Sequence, residues 1–459
     1  MLKNMEFKMQ FVLCCILNKC ATITAQLDEK RREFFLSCCF GLISITSYIY
    51  SIFPIYVHLL YKCIIGAVIM FGILLCSIER EVKPVRWSKP ITVLWFMFGI
   101  LRLSSGIVTS IEFIPLACIW LIAFPSIFLV WNNRKDYNVL FKSLYHGFVY
   151  PSIAFFCISI LFAPIGTEAY TGITVNPNSL GQHLVAIVAL VVARFLYAAN
   201  KKEQIENGII FGVIVSFAFF SRSRTATVTI AGTFLAGMLV NIIFKKKPFR
   251  QTLADLIIII AGSGLICVSL WGINTLSVKY LPNFQHYEQK TETENPKKIL
   301  NNYIDRIEGN DKHESGIENY SSGRTGIWEE VIRKLNIKGH PSRDHIITVR
   351  NGDVGNNAHN VFLQFAYDHG VFAGILFSVL YIVALFKCFL LVKEKKHSAG
   401  IGEEILLVQI AYLGLSLFTS TNLPFLYETS FVYYFTYAIL FSDDSFWDKS
   451  EISVSRKGK

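Results

Sequence analysis

The chain has 459 residues, is 53% hydrophobic, and has a mean hydropathy of +0.45. A water-soluble protein of this size could not hide that much apolar surface, so composition excludes an ordinary soluble enzyme and calls for lipid. The net charge of +11 is not read as a nucleic-acid footprint, because Lys and Arg gather in the cytoplasmic loops of membrane proteins.

Taken from the start, the apolar run 11–17 is too short to span a bilayer and no cleavage site follows it. Residues 1–33 are therefore expected to form an interfacial or cytoplasmic segment. From Phe34 onward, apolar stretches recur at spanning length, about twelve in all. Nine of them, near 34–53, 58–77, 91–109, 113–131, 144–162, 180–197, 208–220, 226–244 and 256–276, fill the region 34–276. Three more, near 370–392, 405–418 and 431–441, fill 359–442, and 443–459 is a tail. Between the ninth and tenth spans lies one large polar loop, 277–358. Open sheet edges cannot sit in lipid, so the fold class is all-α: a polytopic integral membrane protein with one large external loop.

The short connections set the orientation. Arg80, Lys83, Arg86 and Lys89 share one loop, Arg134, Lys135 and Lys142 the next of the same parity, then Lys201 and Lys202. Lys245, Lys246, Lys247 and Arg250 continue the pattern, followed by Lys393, Lys395 and Lys396, with Lys30-Arg31-Arg32 and Arg456-Lys457-Lys459 on the same side. By the positive-inside rule these loops and both termini face the cytoplasm. The alternate loops, among them Ser221-Arg222-Ser223-Arg224 and the large loop, then face outward.

Within the large loop, 290–315 is polar and charge-mixed, without a helical pattern. From Ser322 apolar residues return at helical spacing: Ile327, Trp328, Val331, Ile332 and Leu335. Ser322 or Thr325 is expected to cap this helix, and Gly339 with Pro341 to stop it. The next segment, Asn357-Ala358-His359-Asn360, leads into the tenth span, where Asn360, Gln364 and Asp368 share a face. Gly370 and Gly374 form a small-residue step expected to admit a neighbouring helix.

Three polar clusters thus fall on the outer side. A single arginine at a span end ordinarily snorkels to headgroups, but Arg222 and Arg224, two residues apart among Ser and Thr, weaken that account. A guanidinium holds phosphate oxygens bidentately and stays charged at any relevant pH. Arg324 is placed at a helix entrance, and His359 precedes a helix N-terminus, which disfavours the imidazolium and leaves a neutral base. Arg102 lies inside the third span, where a substrate-lining role and simple snorkelling both fit; His183 and Glu428 are weaker candidates. The eleven cysteines include no Cys-x-x-Cys pair and none lies between 278 and 356, so neither a metal site nor a disulfide framework is indicated. No H-E-x-x-H, P-loop or G-x-S-x-G motif is present.

These residues resemble the O-antigen ligase and O-antigen polymerase superfamily of bacterial membrane glycosyltransferases. The resemblance runs through Ser221-Arg222-Ser223-Arg224-Thr225-Ala226, Ser322-Gly323-Arg324-Thr325-Gly326-Ile327-Trp328 and Ala358-His359-Asn360 with Leu363, Gly370 and Gly374; Asn176-Pro177-Asn178 is a further similarity. It covers the second half of the chain, with only matching topology in the first. It implies a metal-independent, cofactor-free, inverting transfer of a glycan from an undecaprenyl diphosphate carrier to an acceptor hydroxyl, outside the bacterial cytoplasmic (inner) membrane. By the resemblance, Arg224 and Arg324 hold the diphosphate and His359 activates the acceptor; Arg222 is an additional diphosphate-binding candidate, and Asn360, like Arg102, is a candidate to line the substrate. The acceptor is a second lipid-linked repeat unit in a polymerase and lipid A-core in a ligase; the Ser-Gly-Arg-Thr-Gly-Ile-Trp run resembles polymerases somewhat more. Membrane lipids and a chain-length regulator are the other partners implied, and no nucleic acid. A lipid-linked oligosaccharide flippase is the competing class, though transporters place charges near the bilayer midplane rather than at span ends.

Overall fold

A computed structural model describes residues 2–24, 27–53, 59–134, 137–166, 169–244, 246–280, 324–341, 347–348, 354–355, 357–394, 400–420 and 427–443. The helices are α1 (Leu2–Thr24), α2 (Glu29–Ile52), α3 (Leu59–Ser77), α4 (Lys89–Val108), α5 (Phe113–Asn132, with a π turn at Ile119–Ala123) and α6 (Asn138–Phe162). They continue as α7 (Pro177–Leu196), α8 (Lys201–Ser221), α9 (Arg224–Ile243), α10 (Phe249–Tyr280), α11 (Arg324–Lys334), α12 (Val361–His369), α13 (Val371–Glu394), α14 (Ile401–Ser416) and α15 (Glu428–Leu440). One two-residue antiparallel pair, Ile347–Thr348 with Val354–Gly355, is the only sheet among the described residues.

Nine of these helices are long and apolar enough to cross a membrane, and the protein is a polytopic helical membrane protein. The three remaining expected spans coincide with α3, α14 and α15. The last two have only 16 and 13 residues. Every residue of α15 is buried, and a helix sheathed in protein need not match the lipid thickness with its own apolar length. At the other extreme, α10 runs for 32 residues along the margin of the bundle, with most of its surface uncovered.

The centre is aromatic. Trp95 of α4 and Trp120 of α5 stack with centroids 3.8 Å apart, and each indole N–H donates to the other's carbonyl at 3.0 Å. Tyr412 of α14 stacks on Tyr433 of α15 at 3.7 Å. At the end carrying the basic loops, ion pairs tie helix ends together: Arg134 to Glu29 at 2.9 Å, Lys246 to Glu403 at 2.6 Å and Lys247 to Asp255 at 3.0 Å. There, too, α1 docks on the 78–85 connection, with the Asn18 amide accepting from Val82 N at 2.7 Å and donating to Val82 O at 3.0 Å.

Three local expectations change. The loop helix begins at Arg324 and ends at Lys334, so Thr325 lies inside it rather than capping it. Gly339 does not stop that helix; it sits beyond its end at φ +85, and a Cβ there would overlap the Asp368 carbonyl. Gly370 and Gly374 do not receive a neighbouring membrane helix. Gly370, at φ +92, packs on the Ile337 carbonyl, and Gly374 lies against Ala366 of α12, so the step folds α12 onto α13 and seats the 336–339 turn. Ser321, Ser322, Gly323, the charge-mixed stretch 290–315, Asn356, Lys135, Lys245, Lys395, Lys396 and the basic tail lie outside the described residues.

Candidate active site

At the end opposite the basic loops, α8 and α9 are joined by two residues. Arg222 closes α8 in a left-handed conformation, φ 52, its N–H donating to Phe219 O at 3.2 Å. Such a conformation costs a non-glycine residue on the order of 1 kcal/mol, so the surrounding packing must impose it. Ser223 caps α9: its hydroxyl accepts from Ala226 N at 3.5 Å and donates to Asn178 Oδ1 at 3.2 Å. Gly181 of α7 lets this turn approach, since a Cβ there would come within 2.8 Å of Ser223 Oγ. Asn176 in turn caps α7, accepting from Ser179 N at 2.8 Å, with Pro177 in the first turn. Arg224 is consequently the first residue of a helix whose entrance is fixed on three sides.

Arg324 comes from a different part of the chain, yet its guanidinium donates to Thr225 Oγ1 at 3.4 Å, next to Arg224. What holds it there is the apolar face of α11: Val331, with Ile327 and Leu335, packs against Ala358, Leu363 and Tyr367. Burial, and then the neighbouring Arg224, lower its affinity for a proton below the usual arginine value. Among the described residues Arg324 has no carboxylate partner. The acid on its own helix, Glu330, is taken by Arg333 at 2.6 Å and Lys334 at 3.1 Å.

His359 completes the cluster. It is the other non-glycine residue at positive φ (45) among the described residues. Asn357 Oδ1 accepts from its N–H at 2.8 Å, and the next residue, Asn360, caps α12 by accepting from Leu363 N at 3.0 Å. Burial first, and Arg324 second, push the imidazole pKa down to about 4, so the ring is neutral at physiological pH. The causes differ from the expected helix-end effect: His359 precedes the cap, and desolvation beside a guanidinium does the work.

The other candidates fall elsewhere. Asn360 spends its amide on structure, its Nδ2 donating to Leu417 O at 3.2 Å. Arg102 is buried behind the site, between the rings of Phe98, Trp120 and Phe365, with Nε 3.3 Å from His369 Nε2. His183 and Glu428, far apart in sequence, meet with Nδ1 to Oε2 at 2.7 Å. Ser44 donates to the same carboxylate, and Ser51 Oγ lies 2.9 Å from His183 Nε2. No local pattern betrays a pair 245 positions apart.

Below the arginine turn an apolar groove of about 420 Å³ opens between α8, α9 and α10, lined by Phe211, Phe219, Ile230, Phe234, Ile259 and Ile260 among others. Phe219 and Thr227 bring its wall to within one helical turn of Arg222 and Arg224. The arrangement therefore joins a fixed cationic head, a neutral base and an apolar channel. No family model, curated protein or solved structure matches this chain.

Proposed function

We propose that the protein is a membrane glycosyltransferase that moves a glycan from an undecaprenyl diphosphate carrier to an acceptor hydroxyl at the outer face of the inner membrane, in repeat-unit polymerisation of a surface polysaccharide. The observation that carries the reading is the convergence of Arg224, Arg324 and His359 from three separate segments. Arg224 lies close enough to disfavour the charge on Arg324, and an anion bound beside both guanidiniums would offset that cost. A diphosphate meets that need, and the groove beside α9 offers its polyprenyl chain an apolar bed.

The chemistry follows from these placements. As the anomeric carbon–oxygen bond to the diphosphate breaks, negative charge grows on the leaving phosphate, where Arg224 and Arg324 already stand; such preorganised stabilisation is typically the largest catalytic effect. His359, neutral and beside the clamp, takes the proton of the acceptor hydroxyl as its oxygen attacks the same carbon. Base catalysis of this kind contributes about 10²–10⁴-fold. A single displacement inverts the configuration. The preference for a polymerase over a ligase rests on the Ser-Gly-Arg-Thr-Gly-Ile-Trp likeness.

The test is transfer by purified protein in lipid nanodiscs, with undecaprenyl-diphosphate-linked repeat unit as donor and either a second repeat unit or lipid A-core as acceptor. Arg324→Lys keeps the charge but loses the planar fork, and at least a 100-fold loss is expected with the protein still inserted. Near-normal transfer by Arg324→Lys and Arg224→Ala together would remove the clamp. Movement of intact donor across the bilayer without transfer would favour a flippase.

A further inference from the structure

We infer that Trp328 and Gln364 are positioning residues that hold Ala358 by its carbonyl and its N–H and so fix His359 against Arg324. This rests on the glycosyl-transfer reading for its kinetic consequence, and on geometry alone for the clamp itself.

Ala358 is fully buried and immediately precedes the left-handed His359. Its N–H donates to Gln364 Oε1 at 2.8 Å. Its carbonyl accepts from the indole Nε1 of Trp328 at 2.9 Å. Both polar groups of the residue are thereby used, one by α12 and one by α11. Trp328 lies four residues beyond Arg324 on α11, one turn along the same helix. The indole bond is thus a polar tie between the helix that carries Arg324 and the turn that carries His359.

Gln364 is itself held. Its Nε2 donates to Asp368 Oδ1 at 2.8 Å, which fixes the amide orientation and leaves Oε1 for Ala358 N. Ser420 Oγ donates to Asn357 Oδ1 at 3.0 Å and approaches Gln364 Oε1 at 3.5 Å, closing the ring around the turn. The chain Asp368–Gln364–Ala358–Trp328 therefore runs from the buried face of α12 to α11 through one residue. A left-handed residue next to one tethered through both its N–H and its carbonyl has little freedom to relax. Losing either tether leaves a buried backbone group unpaired and lets the imidazole drift from Arg324.

The experiment uses the full-length protein in nanodiscs with labelled histidine, and reads the His359 ring by NMR alongside transfer kinetics, assigning the signal by its loss in His359→Gln. Trp328→Phe keeps the ring and deletes the donor; Gln364→Met keeps the volume and deletes the acceptor. Each is expected to raise the His359 pKa by one unit or more, to lower kcat at least tenfold, and to leave donor binding within threefold. Gln364→Glu should lose activity because two carboxylates then face each other. Gln364→Glu with Asp368→Asn restores one donor and one acceptor and should recover most of kcat. A role in packing alone would lower thermal stability and activity in step, leave the pKa of the folded fraction where it was, and overturn the proposal. If the imidazole shifts but no variant, wild type included, transfers glycan, the clamp stands and the transferase reading falls. Unchanged imidazole titration in both Trp328→Phe and Gln364→Met sinks the clamp, whatever the activity.

Discussion

At the scale of single residues, the proposed chemistry turns on the protonation of His359. Its pKa is held near 4 by burial and by Arg324, against an ordinary histidine value of 6.5. Between those values the unfolded chain binds a proton that the folded chain refuses, so stability falls as pH drops through that window and is fully present above it. The margin of wild-type stability over His359→Gln should therefore shrink on acidification from pH 6.5 towards pH 4. Thermal melts across that range measure it, and a constant margin would mean that the ring is not sequestered. The acid limb of kcat/KM should likewise lie well below pH 6.5, since a neutral base persists there. If the proposed division of roles holds, with the arginines on the diphosphate, His359→Gln should abolish transfer at every pH while donor still binds.

At the scale of elements, the turn at 336–341 shows how tightly α11 is seated. Val371 N donates to Asn336 O at 2.9 Å, and Gly339 and Gly370 lie backbone to backbone, both at positive φ. Gly370→Ala meets the Ile337 carbonyl and a disfavoured φ together, so a loss above about 2 kcal/mol in the seating of this turn is expected. Hydrogen exchange over 324–341 should rise in the variant while the spans stay protected; equal protection in both would show that the contact is dispensable. The sequence made the element legible but not its partner. The 3.6-residue spacing of Ile327, Val331 and Leu335 announced a helix, and the Gly370–Gly374 step announced a close approach. What approaches, the α11–α12 connection rather than a membrane helix, depends on a chain reversal that no periodicity encodes. For the same reason Arg324, His359 and Arg224 were readable by type, whereas Trp328 looked like one more apolar position and Gln364 like one more polar one. Their value lies in hydrogen bonds to a backbone carbonyl and N–H, which leave no mark on composition.

At the scale of the whole molecule, the positive-inside rule applied to the alternating basic loops predicts which end faces the cytoplasm. Single cysteines at Ile111 and Lys202, both exposed and at opposite ends of the bundle, provide the check in a background without native cysteines. An impermeant thiol reagent added to intact spheroplasts should label the first and spare the second. The reverse pattern would put the arginine turn in the cytoplasm and end the case for an external glycan transfer. Helix count was the least legible property at this scale. The segments α14 and α15 fall below spanning length because protein, not lipid, surrounds them.

The meeting of Arg224 with Arg324 joins stretches 100 residues apart through two charges of the same sign. Arg224 thus raises the cost of the charge on Arg324, and on the proposed reading an anion bound beside both lowers it. Salt, which weakens most charged contacts, should here firm the ligand-free protein by screening the repulsion. Pyrophosphate should do so at far lower concentration, contributing about 2.7 kcal/mol at a hundredfold excess over its dissociation constant. Arg324→Gln should be indifferent to both. Melting curves against sodium chloride and against pyrophosphate decide the matter, and a wild-type protein insensitive to either would mean the two arginines never press on one another. On the proposed reading the carrier lipid would then act as mortar, setting the outer helix against the membrane bundle in the same event that presents the glycan to His359.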